Sequence, residues 1–288
     1  MSIARPVPSA KAPAELSTDD LAFVEQLVRS RIAVQLEGKA YLIESRLSPL
    51  VRRHGLPGMA ELVARLRKRD LTIENDVIEA MTTNETSFFR DQHPFVALSD
   101  AIIPRILTAN PRATLTIWNA ASSSGQESLS VAIMLNEKFP ELATPARTKI
   151  LATDVSPEMV SRCKEAVYSR FEVNRGLSAT LATKYFSQAG RNWAANKKLT
   201  DLIQAQQLNL IQPWSGLPKC DVVMLRNVLI YFSAEVKRDI LTRIRKDVLT
   251  PGGVLLLGSS ESTTGVDPGY EPRRANGSTI FISKGGVA

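Results

Sequence analysis

The chain has 288 residues, 44% hydrophobic and 23% charged, the composition of an ordinary globular protein able to bury one large core or two modest ones. No apolar run approaches the roughly 18 residues of a membrane span, and two isolated cysteines and two histidines argue against a Cys- or His-built metal site and fit a reducing cytoplasm. The net charge of +7 points to an anionic partner, and it is unevenly spread: between Arg46 and Arg69 seven Arg or Lys face one acid, Glu61.

In chain order, residues 1–16 are rich in Ala and Pro, lack the apolar stretch of a secretory signal, and read as a disordered lead-in. Residues 17–81 read as a small all-helical domain. Ser17 is a good N-cap, with Asp19 and Asp20 in the first turn, and Leu21, Val24, Val28 and Ile32 line one face. Ile43, Leu47, Leu50 and Val51 mark a second helix, Met59, Leu62, Val63 and Leu66 a third, and Ile73, Val77, Ile78 and Met81 a fourth. Residues 82–95 read as a linker, TTNETSFFRDQHPF, in which a Phe pair sits among polar side chains. A helix follows with Phe95, Leu98, Ile102 and Ile106 on one side, and Pro104 should kink it.

From Ala113 the pattern changes. TLTIWNA (114–120) is a buried-strand pattern, SSSG (122–125) a turn, ESLSVAIMLNEKF (127–139) an apolar helix and KILATD (149–154) a second strand, which together make a βαβ unit and a parallel sheet. DVVMLRN (221–227) is a third strand, 236–249 a helix, Pro251-Gly252-Gly253 a turn and VLLLG (254–258) a fourth strand. STIFISK (278–284) alternates as a final strand, and with no crossover helix before it an antiparallel course is expected. The stretch at about 168–210, with a short helix at 178–184, reads as an inserted antiparallel β piece within a 96–288 domain.

The first βα turn, Asn119 to Glu127, has small residues and a helix N-terminus but no GxGxxG, so the dinucleotide fingerprint is absent. Asp154 ends the second strand, where an α/β sheet presents a carboxylate to a ribose; capping the helix that begins at Pro157 is the alternative. Glu127 in the turn repels a pyrophosphate but suits a cationic sulfonium ligand. An antiparallel last strand is a methyltransferase trait.

TTNETSFFRD (82–91) resembles the signature of the chemotaxis receptor glutamate methyltransferases, the CheR family. WNAASSSGQES (118–128), LATDVS (151–156), LRNVLIYF (225–232) and LLLGSSE (255–261) resemble further motifs of that family in the same order, so the resemblance covers about residues 20 to 284. Departures are Gln126, Ser128, Leu129 and Leu225, none of which removes a residue with a chemical role. The resemblance implies a Rossmann-like S-adenosylmethionine-dependent methyltransferase domain, α/β in class, with an inserted small antiparallel β subdomain and a preceding all-α domain. It implies S-adenosylmethionine as cofactor and S-adenosylhomocysteine as product, with no metal.

By the same resemblance Asn84, Thr86 and Arg90 contact the methionine end of the cofactor, and Phe88 and Phe89 pack the segment between the two domains. Glu127 faces the cofactor, Asp154 holds the ribose hydroxyls, Asn209 and Leu210 line the adenine side, and Arg226 and Asn227 lie at the third strand end. Tyr231 lies near the transferred methyl, and Arg105 is the nearest candidate for a basic side chain beside the reacting carboxylate. A loop cap is the alternative for Asn209 and a satisfied core tyrosine for Tyr231.

The partner implied is the cytoplasmic helical bundle of methyl-accepting chemotaxis receptors, which Arg46, Arg52 and Arg53 would steer by charge; a solvated basic face is the alternative. No aromatic platform accompanies the charge, which disfavours nucleic acid. The segment YFSQAGRNWAANKKL (185–199) is short against family members that dock a receptor's C-terminal pentapeptide, so independence of that tether is expected, as are a monomer, a cytoplasmic location and no membrane insertion. The competing readings are a non-catalytic S-adenosylmethionine-binding signalling module and an NAD-dependent oxidoreductase.

Overall fold

A computed structural model of the protein describes residues 16–112 and 114–284. The chain divides into two compact units, residues 1–83 and 84–288. Of the lead-in expected at 1–16, residues 1–15 lie outside the described residues; Leu16 is buried and donates its N–H to Glu44 at 3.2 Å.

Among the described residues the first unit is four helices: α1 (Thr18–Ile32), α2 (Ala40–Arg53), α3 (Met59–Arg67) and α4 (Leu71–Met81). The Ser17 hydroxyl accepts the Asp20 N–H, and Asp70 accepts the N–H groups of Thr72 and Ile73, so α1 and α4 are capped by side chains at their N-termini. Their apolar stripes meet in one core, with Val24, Val28, Ile43, Leu47, Leu62, Ile73 and Val77 all buried. Arg46 donates to the carbonyls of Met81 at 2.9 Å and Thr82 at 2.8 Å and to the Thr83 hydroxyl at 2.9 Å, closing the C-terminus of α4.

The second unit begins with α5 (His93–Ala97), which runs through a wide π turn, Leu98–Ile102, into α6 (Ile103–Ala109). The kink expected at Pro104 takes this form: the preceding turn widens, so the proline's missing donor is absorbed without breaking the helix. Then come β1 (Leu115–Ala120), α7 (Gln126–Lys138), β2 (Thr148–Asp154), α8 (Pro157–Glu165), β3 (Val167–Ser169), α9 (Arg170–Asn174), α10 (Ala179–Tyr185), β4 (Phe186–Ala189), β5 (Asn192–Ala195), α11 (Lys197–Thr200) and β6 (Ile203–Gln207). The chain ends with β7 (Cys220–Leu225), a 3-10 turn (Leu229–Tyr231), α12 (Ala234–Arg243), a π turn (Ile244–Val248), β8 (Leu249–Leu257), β9 (Tyr270–Ala275) and β10 (Ser278–Ser283).

Seven strands form one sheet in the order β6-β2-β1-β7-β8-β10-β9. The first five are parallel, and β10 runs antiparallel between β8 and β9. The order reverses between β1 and β7, and in an open parallel sheet the crevice outside the strand ends at such a reversal is where ligands bind.

Three details depart from expectation. The insert is smaller than 168–210: its antiparallel sheet is β3-β5-β4, whereas Ile203–Gln207 pairs in parallel with β2 as the edge strand of the main sheet. Strand β8 starts at Leu249, and Pro251-Gly252-Gly253 is an irregularity inside it rather than a turn before it. Strand β9 lies between VLLLG (254–258) and the final strand, where no strand is expected from the sequence, and is joined to β10 by a two-residue turn in which Asn276 and Gly277 both take positive φ, the conformation that a tight hairpin demands.

Candidate active site

The turn between β1 and α7 is shaped by three left-handed residues, Ala121, Ser123 and Gly125. At Gly125 a Cβ would stand 2.6 Å from the Cys163 sulfur, so glycine is required twice over. Asp154, 6% exposed at the end of β2, accepts the N–H of Ser123 at 2.8 Å and of Ser156 at 3.0 Å. Burial pushes its pKa up, and the backbone N–H groups of Ser156, Ser123 and Val155 oppose that shift. The helix after it is capped by Ser156, whose hydroxyl accepts the Met159 N–H at 3.0 Å. Asp154 is therefore not the helix cap; it fastens the β1 turn to the β2 turn, and an ionised carboxylate has lone pairs left for another donor.

Beside this turn lies a buried arginine. The Arg226 side chain is 1% exposed and pairs with Glu127 and, at 2.7 Å, with Asp91, while also donating to the Arg90 carbonyl at 2.9 Å. The other Glu127 oxygen accepts from Asn119 at 2.9 Å. Both Glu127 oxygens are thus engaged within the protein. The segment held here contains Phe89, Asp91 and Gln92, all non-glycine residues with positive φ, a conformation costing about 1 kcal/mol or more at each. Ser130 on α7 supports it further, its hydroxyl accepting the Phe89 N–H at 2.9 Å. Arg226 and Glu127 therefore act as a clamp that imposes an uncommon backbone on the Arg90 segment. Arg90 itself donates to the Glu85 carbonyl at 2.7 Å, and the Asn84 carbonyl accepts the Ser123 hydroxyl at 2.8 Å, so the 84–92 segment is tied to the β1 turn. Phe88 packs edge-on against Tyr168 and Phe186, and Phe89 against Phe95, all within the second unit.

After β7, Asn227 is left-handed, and its N–H, with those of Gly258 and Ile230, is accepted by the Glu261 carboxylate at 2.8, 2.8 and 3.3 Å. Glu261 thus brackets the loops after β7 and β8, a role the sequence reading missed although the residue stood in a quoted motif. A cavity of about 360 Å³ opens beside it, bordered by Asp91, Pro94, Gly258 and Arg274. Tyr231 is half-buried in the same loop, and its hydroxyl has no partner among the described residues, unlike a satisfied core tyrosine. Asn209 follows β6; its side chain accepts the Ile211 N–H at 3.2 Å, the loop-capping arrangement. Leu210 is buried, and its carbonyl and that of Gln212 are held by Arg243, which stacks on Trp214 at 4.1 Å. Thr86 is half-buried within the segment.

Two candidates fall elsewhere. Arg105 donates to the Gly252 carbonyl at 2.8 Å, near the start of β8 and so at the opposite end of the parallel strands from Asp154 and Gly258. Arg46 spends its guanidinium on the end of α4 and is not a free steering charge. Arg52 and Arg53 are exposed on the first unit, with Arg53 3.8 Å from Asp76. Of the altered motif positions, Gln126 is buried and accepts the Ser124 hydroxyl at 2.8 Å, and Leu129 lies in the core, so the changed turn remains internally satisfied.

A parallel sheet with its last strand antiparallel between two others, a small-residue turn without the dinucleotide glycines, and a buried carboxylate ending the second strand define a Rossmann-like S-adenosylmethionine-dependent methyltransferase. Residues 84–275 match the family model described as the CheR methyltransferase SAM binding domain, and residues 19–82 that of the CheR methyltransferase all-alpha domain. The chain belongs to the CheR methyltransferase family. It is 41% identical to chemotaxis protein methyltransferase 1 of Pseudomonas aeruginosa over 85% of this chain and 90% of the relative. It is 40% identical to chemotaxis protein methyltransferase 1 of Vibrio cholerae over 86% and 90%, and 38% identical to chemotaxis protein methyltransferase Cher2 of Pseudomonas putida over 86% and 91%. It is therefore an enzyme, and its methyl donor is S-adenosylmethionine. No helix among the described residues is long and apolar enough to cross a membrane.

Proposed function

We propose that the enzyme methylates glutamate side chains on the helical bundle of methyl-accepting chemotaxis receptors, acting as a cytoplasmic monomer. The observation that carries the reading is the buried Asp154 carboxylate fastened to the β1 turn at the point where the strand order reverses. Relatives named as chemotaxis protein methyltransferases support the choice of substrate. S-adenosylmethionine, when bound, supplies an electrophilic methyl on a sulfonium.

Asp154 receives the ribose hydroxyls through its spare lone pairs. Asn84, Thr86 and Arg90 bind the methionine end, Arg90 pairing with its carboxylate. Leu210 and the Asn209 turn line the adenine side, and Asn227 closes the opposite wall. Glu127 and Arg226 act through the Arg90 segment as positioning residues. The acceptor glutamate is already ionised at neutral pH, since its ordinary pKa is about 4.3, so no general base is required. The site's task is to hold the carboxylate in line with the methyl at roughly 3 to 3.5 Å and to exclude water. Tyr231, whose hydroxyl has no partner among the described residues, orients that carboxylate.

Arg52 and Arg53 steer the acidic bundle by charge. The β4–β5 connection is a two-residue turn, Gly190-Arg191, which supports independence of a receptor pentapeptide. Labelled methyl transfer from S-adenosylmethionine to receptor-containing membranes, with release of the label as methanol in alkali, tests the reaction. Binding without transfer would favour a non-catalytic module. Micromolar binding of a receptor C-terminal peptide would overturn the pentapeptide reading.

A further inference from the structure

The small sheet β3-β5-β4 touches both segments assigned above to the cofactor. Tyr168 on β3 is buried, and its hydroxyl donates to the Ser124 carbonyl in the β1 turn at 2.7 Å. Burial pushes that phenol well above its ordinary range, so it stays a donor at any working pH. The Tyr168 ring also meets Phe88 edge-on at 5.4 Å, and Phe88 meets Phe186 of β4 at 5.5 Å. Between α9 and α10, Gly176 lies so close that a Cβ on it would stand 1.9 Å from the Phe88 carbonyl oxygen. Its neighbour Arg175 pairs with Glu85.

These contacts converge on backbone that has little regular structure of its own. The β1 turn has three left-handed residues, and the 84–92 segment has three more, so each needs support from outside to hold one conformation. Ser123 is held from one side by Asp154 and from another by the Asn84 carbonyl; Ser124 is held by Tyr168. We infer that the small sheet braces the cofactor turn, with Tyr168 and Gly176 as positioning residues for S-adenosylmethionine. This rests on the assignment of that turn to the cofactor. The brace operates whether or not anything docks on the insert, and it gives the insert a use in an enzyme that needs no tether.

Tyr168→Phe in the full chain removes one O–H and keeps the ring packing. Calorimetric titration with S-adenosylhomocysteine should show affinity weakened about three- to tenfold, the worth of one buried hydrogen bond. The Michaelis constant for S-adenosylmethionine should rise accordingly, and more than kcat falls. Amide exchange at residues 123–126 should quicken in the variant without cofactor while the first unit's amides do not change. Gly176→Ala should weaken binding further by displacing Phe88; if it fails to fold, Tyr168→Phe still decides. Unchanged affinity and exchange in Tyr168→Phe would overturn the brace and leave the aromatic cluster as packing alone. Failure of the unmutated enzyme to bind S-adenosylhomocysteine would instead overturn the cofactor assignment, and the brace with it.

Discussion

The two units use arginine in opposite ways. In the first, seven basic residues crowd the stretch from Arg46 to Arg69, and in space part of that charge is met: Arg46 caps α4, Arg53 lies near Asp76, Arg65 near Glu61 and Asp70, and Arg67 against Asp20 and the Phe23 ring. Most of these pairs are exposed and each is worth little. In the second unit one arginine, Arg226, is buried, pairs with the half-buried Glu127 and the exposed Asp91, and shapes the segment that carries Arg90. A charge visible in composition is a poor guide to importance; a lone Arg in a hydrophobic strand end is a better one, because burying it demands partners.

The largest effect should come from breaking the buried side of this contrast. Arg226→Met leaves the half-buried Glu127 beside Asn119 with its countercharge gone, and unfolding stability should fall by about 3 kcal/mol, the lower end of the range for a broken buried pair. Urea titration and S-adenosylhomocysteine calorimetry should report loss of stability and of binding together. A variant as stable as the parent would mean that the clamp is not structural.

Asp154→Asn should separate the two properties. Cofactor binding should weaken by about 1.5–3 kcal/mol, the range for hydrogen bonds to a charged group. Stability without cofactor should move the other way, since burial raises the folded-state pKa of Asp154 above its unfolded value. Ionised Asp154 therefore costs stability once pH exceeds its folded pKa, and the protonated form is favoured in the fold below it. The variant should be the more stable protein at pH 7, with the difference vanishing as pH falls through the folded pKa toward the ordinary carboxylate value of about 3.9. A difference that persisted to low pH would show that the lost backbone contacts, not the charge, dominate.

Glu261→Ala frees the amides of Asn227, Gly258 and Ile230 and should cost about 1–2 kcal/mol in transition-state stabilisation, read as kcat/KM. The smallest effects belong to the basic segment and sharpen its internal division. Arg46→Ala should lower stability by about 1 kcal/mol with methylation of membranes little altered once the fold is intact. Arg52→Ala and Arg53→Ala should change stability by under about 0.5 kcal/mol but slow methylation of receptor membranes at low salt, the slowing fading as salt is added. Equal behaviour of all three would erase the distinction between cap and steering charge.

What could be read in advance follows the same line. The four helices of the first unit and the β1–α7–β2 unit were legible because each buries a face of fixed period, 3.6 or continuous, against its own neighbours. Strand β6 reads instead as part of the antiparallel insert, since IQAQQ at a sheet edge buries little and carries no pattern that ties it to the main sheet. Strand β9 was missed although Asn276-Gly277 announced its hairpin; Pro272 and two arginines mask it, as edge strands permit. Asn84, Arg90, Asp154 and Asn227 lie together outside the C-terminal ends of the parallel strands. The clamp of Arg226 on Glu127 and the bracket of Glu261 could not be foreseen, because a side chain aimed at a ligand and one aimed at a neighbouring carboxylate have the same letter in the sequence. Arg105 failed for the converse reason: helix periodicity says nothing about which end of the sheet a residue meets.

Trp118 lies fully buried on β1, its indole N–H given to Thr153 at 2.9 Å next to Asp154, and Trp214 meets it edge-on 5.3 Å away from the loop after β6. Two indoles so close and so inclined are placed to couple their excitations, and a paired circular-dichroism band is the expected signature. Since Arg243 stacks on Trp214 and holds the same loop, any shift of that loop alters the pair optically. The enzyme thus carries its own chromophoric gauge of the ground beneath the Asp154 carboxylate, readable without a label.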